Sequence, residues 1–176
     1  LLGGCGTTVN WDYPRTTSSA FAEPRTTTIG ALFQDAADRH PGQSGFGLMR
    51  EGSRAFTARL AMADLAEKTL DAQYYIWDID TTGRIMADRL IRAADRGVRV
   101  RLLLDDTHKT EEIDNGIAAL DAHPNIEVRF FNPVANRRWR GLSFLSDFGR
   151  VNNRMHNKLL IMDNAVGIVG GRNIAD

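Results

Sequence analysis

The sequence predicts an α/β fold in which helices flank a mixed β-sheet. Between residues 58 and 131, short β-branched segments alternate with amphipathic segments of about a dozen residues. Strands that alternate with helices in this way are typical of βαβ units. Two further apolar segments, separated by a turn, lie within residues 156–169. The 176 residues are enough to bury the core of one domain.

The elements before residue 58 are predicted from short and irregular patterns. Residues 30–40 favour a short helix that Pro41-Gly42 would end. Glu51-Gly52-Ser53 has the composition of a turn, so residues 45–49 and 55–57 are expected to pair as a small hairpin.

Regular periodicity begins at residue 58. Apolar spacing predicts three helices, at residues 58–70, 83–94 and 113–122. Three strands are predicted between and after them, at residues 73–77, 98–104 and 126–131. Gly97 is expected to end the second helix as its C′ residue, and Asn132-Pro133 to end the last of these strands.

The two apolar segments near residue 160 predict a second hairpin. Residues 156–162 and 166–169 favour strands, and Asp163-Asn164 between them supplies turn chemistry. Because side chains alternate along a strand, His156 and Lys158 are expected on one face. The return strand would bring the residues that follow it back toward this pair.

The polar residues of this hairpin suit attack on a phosphodiester. An imidazole at His156 can act as the nucleophile, while Lys158 and Asn173 hold the non-bridging oxygens. Gly171 would allow close backbone approach. Asp163 has the opposite strand parity and is expected to support the site rather than to join the attack. Taken singly, a histidine or a lysine is more often an ordinary packed or surface residue; the combined spacing favours catalysis.

The spacing also carries a family resemblance. His156-x-Lys158-x4-Asp163, followed by Gly-Gly-x-Asn173, resembles the HKD signature of the phospholipase D superfamily. The flanking stretches 70–77, 93–106 and 154–158 are similar to bacterial cardiolipin synthases of the C type, and the resemblance covers about residues 45–176. It implies a phospholipase D-like α/β sandwich, a catalytic set of His156, Lys158 and Asp163, and phosphate binding by Gly171 and Asn173. Neither a metal nor another cofactor is expected.

The resemblance implies phosphatidyl transfer through a phosphohistidine. The expected substrates are glycerophospholipids such as phosphatidylglycerol or phosphatidylethanolamine, and the product is a cardiolipin. Such enzymes use two HKD motifs, whose second histidine is the general acid. His40, His108 and His123 each lack a lysine two residues on, so the sequence holds one motif. The second is expected in the same polypeptide or in a paired protomer, and this chain alone is expected to be inactive.

The N-terminal residues predict a membrane anchor. Residues 1–5 end in Cys5 and resemble a bacterial lipobox, whose cysteine is lipidated. Residues 6–44 combine a Thr/Ser/Pro-rich linker with the short helix, and residues 45–176 form the predicted phospholipase D-like domain. This organisation predicts a lipoprotein of the bacterial cell envelope. The alternative is a chance match with a free thiol; with one cysteine, no intrachain disulfide forms.

Charge is unevenly distributed although the net charge is zero. Residues 126–176 carry eight basic and four acidic side chains, whereas residues 1–125 carry 14 and 18. The basic excess suits an anionic substrate, but the neutral total argues against a nucleic-acid partner. Residues 134–154 interleave arginines with Trp139, Phe144 and other apolar residues, which is consistent with a membrane interface or with an amphipathic helix packed on the sheet.

Other functions remain open at this stage. Asp105-Asp106 and His108 follow a strand, and loop hydrogen bonding or helix capping is expected there rather than a metal site. The aromatic residues of segment 73–77 are expected in the core, although they could stack on bases. The alternatives to lipid transfer are a phosphodiesterase of nucleic acid and a non-catalytic, membrane-tethered binding module.

Overall fold

A five-stranded sheet forms the centre of the chain in the computed structural model, which describes residues 9, 12, 14–106, 110–134 and 148–176. The strands lie in the order β3-β2-β1-β4-β5. Strands β1 to β3 are parallel, while β4 is antiparallel to both β1 and β5. The mixed sheet with flanking helices that the sequence predicts is therefore confirmed. The strands are β1 (Thr69–Tyr74), β2 (Arg99–Asp105), β3 (Ile126–Phe131), β4 (Lys158–Met162) and β5 (Val166–Val169).

Helices precede and connect the parallel strands. The described helices are α1 (Thr28–Leu32), α2 (Gln34–Arg39), α3 (Gly52–Leu65), α4 (Thr81–Asp95), α5 (Glu111–Asp121) and α6 (Phe148–Val151), with a 3₁₀ turn at Pro24–Thr26. Asp80 caps α4 by accepting a hydrogen bond from the Gly83 N–H at 2.9 Å. Gly97 follows α4 with a φ of 89°, the left-handed conformation expected of a C′ residue.

The core lies on one side of the sheet. Alternate residues of the central strands are fully or almost fully buried there, together with the inner face of α4. The intervening side chains, such as Asp71 and Arg101, are only half-buried and form an ion pair across β1 and β2. The buried residues of the two central strands are Leu70, Ala72, Tyr74, Val100, Leu102 and Leu104.

The N-terminal predictions need two corrections. The single helix predicted at residues 30–40 is two short helices, α1 and α2, separated at Phe33. The hairpin predicted around Glu51-Gly52-Ser53 is wrong, because these residues begin helix α3. The buried residues of α3 do follow helical spacing, at Ala55, Arg59, Met62 and Ala63. The turn-like composition of Gly52 and Ser53 hid the start of the helix, whereas its later residues lie in the helix predicted from residue 58.

Two strand boundaries also differ from the prediction. The first strand occupies Thr69–Tyr74 rather than residues 73–77, because α3 ends at Leu65 instead of continuing to residue 70. Strand β4 begins at Lys158, so His156 lies just before the strand and not within it. The ladder stops there because Lys158 pairs with Tyr74, the last residue of β1.

The segment predicted as a linker contacts the domain. Residues 14–20 have no regular secondary structure, and residues 16–21 lie within hydrogen-bonding distance of the sheet. Four donors hold them: Arg129 Nη2 to Thr16 O, Arg99 Nη2 to Ser19 O (2.7 Å), Arg101 Nη1 to Ser18 Oγ (2.9 Å) and Asn164 Nδ2 to Phe21 O (3.0 Å). The predicted lipobox at residues 1–5 lies outside the described residues. Within the described ranges, no helix is both long and apolar enough to cross a bilayer.

Candidate active site

His156 is exposed to solvent near the carboxyl end of β1. Its side chain is exposed, and its ring centroid is 4.8 Å from that of Tyr75, at an interplanar angle of 58°. The next residue fixes the backbone, since the Tyr75 N–H donates to Asn157 O at 3.1 Å. Asn157 Nδ2 also donates to Gln73 Oε1 at 2.9 Å. The imidazole is thus held on an ordered backbone but stays accessible to a substrate, as a nucleophile requires.

Lys158 is buried beside the same tyrosine. The residue is 4% exposed, and its Nζ lies 5.0 Å from the Tyr75 ring centroid. Nζ donates to the carbonyl oxygen of His156 at 2.9 Å, and no carboxylate of the described residues pairs with it. Burial lowers the pKa of Lys158, because water is withdrawn from the ammonium group. A cation that is held by neutral groups keeps its charge available for an anionic substrate.

Asn173 returns to the same end of β1. Its Oδ1 accepts a hydrogen bond from the Ile76 N–H at 3.2 Å, and Ile174 N donates to Ile76 O at 3.2 Å. With the amide oxygen engaged, the Nδ2 group is left as a donor. Gly170 N donates to Lys158 O at 3.1 Å, which brings the glycine pair beside the lysine backbone. Gly171 is exposed, and a Cβ there would meet no atom within 4 Å.

Asp163 lies at the opposite end of β1. It is fully buried, and its carboxylate accepts three backbone N–H groups, from Glu67 (3.1 Å), Lys68 (2.8 Å) and Thr69 (2.8 Å). Tyr74 lies five positions after Thr69 along the strand, or roughly 17 Å away. The carboxylate therefore anchors the start of β1 and does not reach the His156 ring. Asp163 and Asn164 both have positive φ, 53° and 51°, as a type I′ turn requires.

Asp105 supports the segment that leads into His156. This fully buried carboxylate accepts the Met155 N–H at 2.7 Å and pairs with Arg154 Nη1 at 3.2 Å. Asp106 is also buried and accepts the Val134 N–H at 2.7 Å. Both aspartates thus make the loop hydrogen bonds expected of them. Within the described residues, no group of three potential metal ligands is present; His108 lies outside them.

Sequence reasoning missed Tyr75 as a site residue. The aromatic residues of this segment were expected in the core, and Tyr74 does lie there, with its ring edge-on to Trp77 at 5.7 Å. Tyr75 is only half-buried and contacts both His156 and Lys158. Its place at the carboxyl end of a parallel strand was the available signal. Trp139 and Phe144, on which the membrane-interface question depends, lie outside the described residues.

The fold and the HKD spacing together define a phospholipase D-type domain. A sequence model of the family described as "Cardiolipin synthase, PLD-like domain" matches residues 60–176. The chain therefore belongs to this family of the phospholipase D superfamily. It is similar to cardiolipin synthase C of Escherichia coli, with 51% identity over 138 residues, and to an uncharacterized protein of Helicobacter pylori, with 39% identity over 165 residues.

The matches cover most of this chain but a smaller part of the curated relatives. The two alignments cover 78% and 93% of this chain but only 29% and 33% of the relatives. The chain thus spans about a third of the length of the curated relatives it matches. Among solved structures, NucT from Helicobacter pylori is similar with a TM-score of 0.51 and 20% identity, covering 74% of this chain and 73% of that one. This likeness is one of fold.

Proposed function

We propose that the protein is a phosphatidyltransferase that forms cardiolipin through a phosphohistidine at His156. The observation that carries the proposal is the pairing of an exposed imidazole with a buried ammonium, both against the Tyr75 ring. Membership of the family and the 51% identity to a cardiolipin synthase C support the choice of lipid substrates. The substrates would be phosphatidylglycerol or phosphatidylethanolamine as donor, and phosphatidylglycerol as acceptor.

In the first step, a ring nitrogen of His156 attacks the phosphorus of the donor lipid. A nitrogen–phosphorus bond forms, the phosphorus–oxygen bond to the headgroup alcohol breaks, and the leaving oxygen takes up a proton. Lys158 and the Nδ2 group of Asn173 would hold the non-bridging oxygens, where negative charge accumulates in the transition state. Removing Lys158 from water strengthens its attraction for these oxygens.

In the second step, a hydroxyl group of the acceptor attacks the phosphohistidine. A phosphorus–oxygen bond forms, the nitrogen–phosphorus bond breaks, and the proton of the hydroxyl passes to a general base. Water in place of the alcohol gives phosphatidic acid. The acid and base of the two steps would be the histidine of a second HKD motif, in the same polypeptide or in a paired protomer.

A membrane-bound location follows from the same proposal. Glycerophospholipid substrates reside in a bilayer, and a lipid chain on Cys5 would keep the domain at its surface in the cell envelope. The segment from residue 16 to residue 21, which hydrogen-bonds to the sheet, would then link the anchor to a fixed edge of the domain.

Transfer of radiolabel tests this proposal in the full-length protein. Labelled phosphatidylglycerol in vesicles is expected to give labelled cardiolipin, and His156→Ala to lower that rate by about 10³-fold or more. His40→Ala is the matched control, since His40 is exposed at the end of α2, and it should change the rate less than twofold. Cardiolipin formation that survives His156→Ala would refute the role of His156. Salt-sensitive DNA cleavage without lipid transfer would instead favour the nucleic-acid phosphodiesterase.

A further inference from the structure

Arg59 of helix α3 is a buried cation that neutral groups hold. The residue is 3% exposed, and its guanidinium donates to Tyr74 Oη and to Ala55 O, each at 2.9 Å. Burial raises the pKa of Tyr74, although the Arg59 charge opposes this, so the acceptor is a neutral phenol. No carboxylate of the described residues pairs with Arg59. Burying a charge without an opposite charge costs free energy. An anion bound near Arg59 would offset this cost.

The Arg59 side chain opens onto a cleft of about 480 Å³. The cleft is also lined by the first residues of α3, Gly52 and Ser53, and by the side chains of Phe56, Arg172 and Asn173. No side chain caps this 14-residue helix, so its first N–H groups, at Gly52 and Ser53, have no side-chain cap to accept from them. Unpaired N–H groups at a helix N-terminus attract anions.

The second arginine of the cleft is likewise held by neutral groups. Arg172 donates to Met49 O at 3.3 Å and to Arg50 O at 2.6 Å. One acidic residue, Asp176, also lines the cleft. Its carboxylate accepts the N–H groups of Thr81 and Thr82 at 3.3 Å, at the start of α4. The charge of Asp176 is thus directed at a helix terminus, and the two arginines leave the cleft net positive.

The cleft adjoins the candidate active site. Asn173 lines the cleft and also accepts the N–H of Ile76, the residue after Tyr75, whose ring contacts His156. Because Asn173 is also a proposed ligand of the phosphoryl oxygens, the cleft reaches that proposed position.

We propose that this cleft binds the non-reacting phosphodiester of a second glycerophospholipid, the acceptor; the inference rests on the proposed phosphatidyl transfer. Guanidinium groups match phosphate oxygens through paired, charge-assisted hydrogen bonds, and the N-terminus of α3 adds backbone donors. Phe56 and Ile174 supply apolar contact for the glycerol carbons. An acceptor that carries its own phosphate needs such a second anion site, whereas water does not.

Calorimetric titration of the full-length protein tests the cleft without requiring turnover. The probes are glycerophosphoglycerol, which is the deacylated headgroup of phosphatidylglycerol, and inorganic phosphate, with His156→Ala as the background. Arg59→Gln is expected to weaken glycerophosphoglycerol binding at least tenfold, and Arg59→Lys less. Arg89→Gln is the control, because Arg89 of α4 pairs with Asp64 of α3 at 3.3 Å and does not line the cleft, so the affinity should stay unchanged.

The outcomes separate this inference from the proposed function. If Arg59→Gln fails to fold, the exposed Arg172→Gln is expected to weaken binding in the same way. Unchanged affinity in a folded Arg59→Gln or Arg172→Gln protein overturns the inference, as does tighter binding of inorganic phosphate than of the diester. Arg59-dependent binding in a protein that transfers no radiolabel would support the anion site and contradict the proposed transferase activity. Transfer of radiolabel without Arg59-dependent binding would support the transferase activity and contradict the anion site.

Discussion

His156 and Lys158 contact one ring, that of Tyr75, from different environments. The imidazole is exposed, so it can reach phosphorus, while the ammonium is buried and loses the screening of water. The hydrogen bond from Lys158 Nζ to the carbonyl oxygen of His156 links their positions directly. The lysine therefore contributes a fixed charge and also holds the backbone of His156, the proposed nucleophile.

The third residue of the HKD motif, Asp163, stabilises the fold. Asp163→Ala should lower the free energy of unfolding by about 2–4 kcal/mol, because three backbone N–H groups lose their acceptor and two of them can regain water. Denaturant unfolding at constant pH measures this loss. Asp163→Asn keeps one acceptor oxygen and should lose less. If Asp163→Ala were as stable as the wild type but inactive, Asp163 would belong to the chemistry instead.

The end of the sheet at which β1 and β2 finish positions the segment that leads into His156. The parallel strands β1 and β2 finish beside each other, so Asp105 at the end of β2 can hold Met155, the residue before His156. These two residues are 50 positions apart in the sequence. The contact fixes the approach of the chain to β4, which the local sequence alone does not specify.

Asp105→Asn tests whether this contact positions the nucleophile. The amide keeps an acceptor for the Met155 N–H but loses the ion pair with Arg154. A shift of the His156 backbone by a fraction of an ångström should lower kcat about 10- to 100-fold, with little change in the KM for the donor lipid. Steady-state kinetics of the full-length protein measure both. Asp71→Asn removes a different ion pair of the sheet, the one between β1 and β2 with Arg101, and should leave kcat within twofold. Equal effects of the two variants would contradict a positioning role.

Local patterns predicted the elements whose signals are local. The hairpin of β4 and β5, the helix end at Gly97 and the span of β3 follow from turn chemistry and periodicity. Helix α3 was predicted with the wrong bounds: its start was missed because Gly52 and Ser53 have the composition of a turn, and its end was placed at residue 70 instead of Leu65. The place of Tyr75 and Asp105 near His156 depends on pairing between distant segments. Apart from the position of Tyr75 at the end of a predicted strand, the sequence alone does not indicate that pairing.

Among the described residues, the candidate active site and the Arg59 cleft lie at one end of β1, and the Asp163 anchor lies at the other. Strand β1 has the nucleophile and its buried cation at its carboxyl end, the Arg59 cleft beside them, and the Asp163 anchor at its start. The core and the helices hold β1 rigid between these points. Under the proposed function, this arrangement would supply a nucleophile and two anion-binding regions, and a second HKD motif would supply the acid–base group.

The most direct measurement is to trap the covalent intermediate. The full-length protein is mixed with phosphatidylglycerol, quenched within milliseconds at alkaline pH, where phosphohistidine survives, and digested for mass spectrometry. We expect a phosphatidyl adduct on His156, absent in His156→Ala and retained in His40→Ala. Transfer of lipid with no adduct, or an adduct on another residue only, would contradict the account.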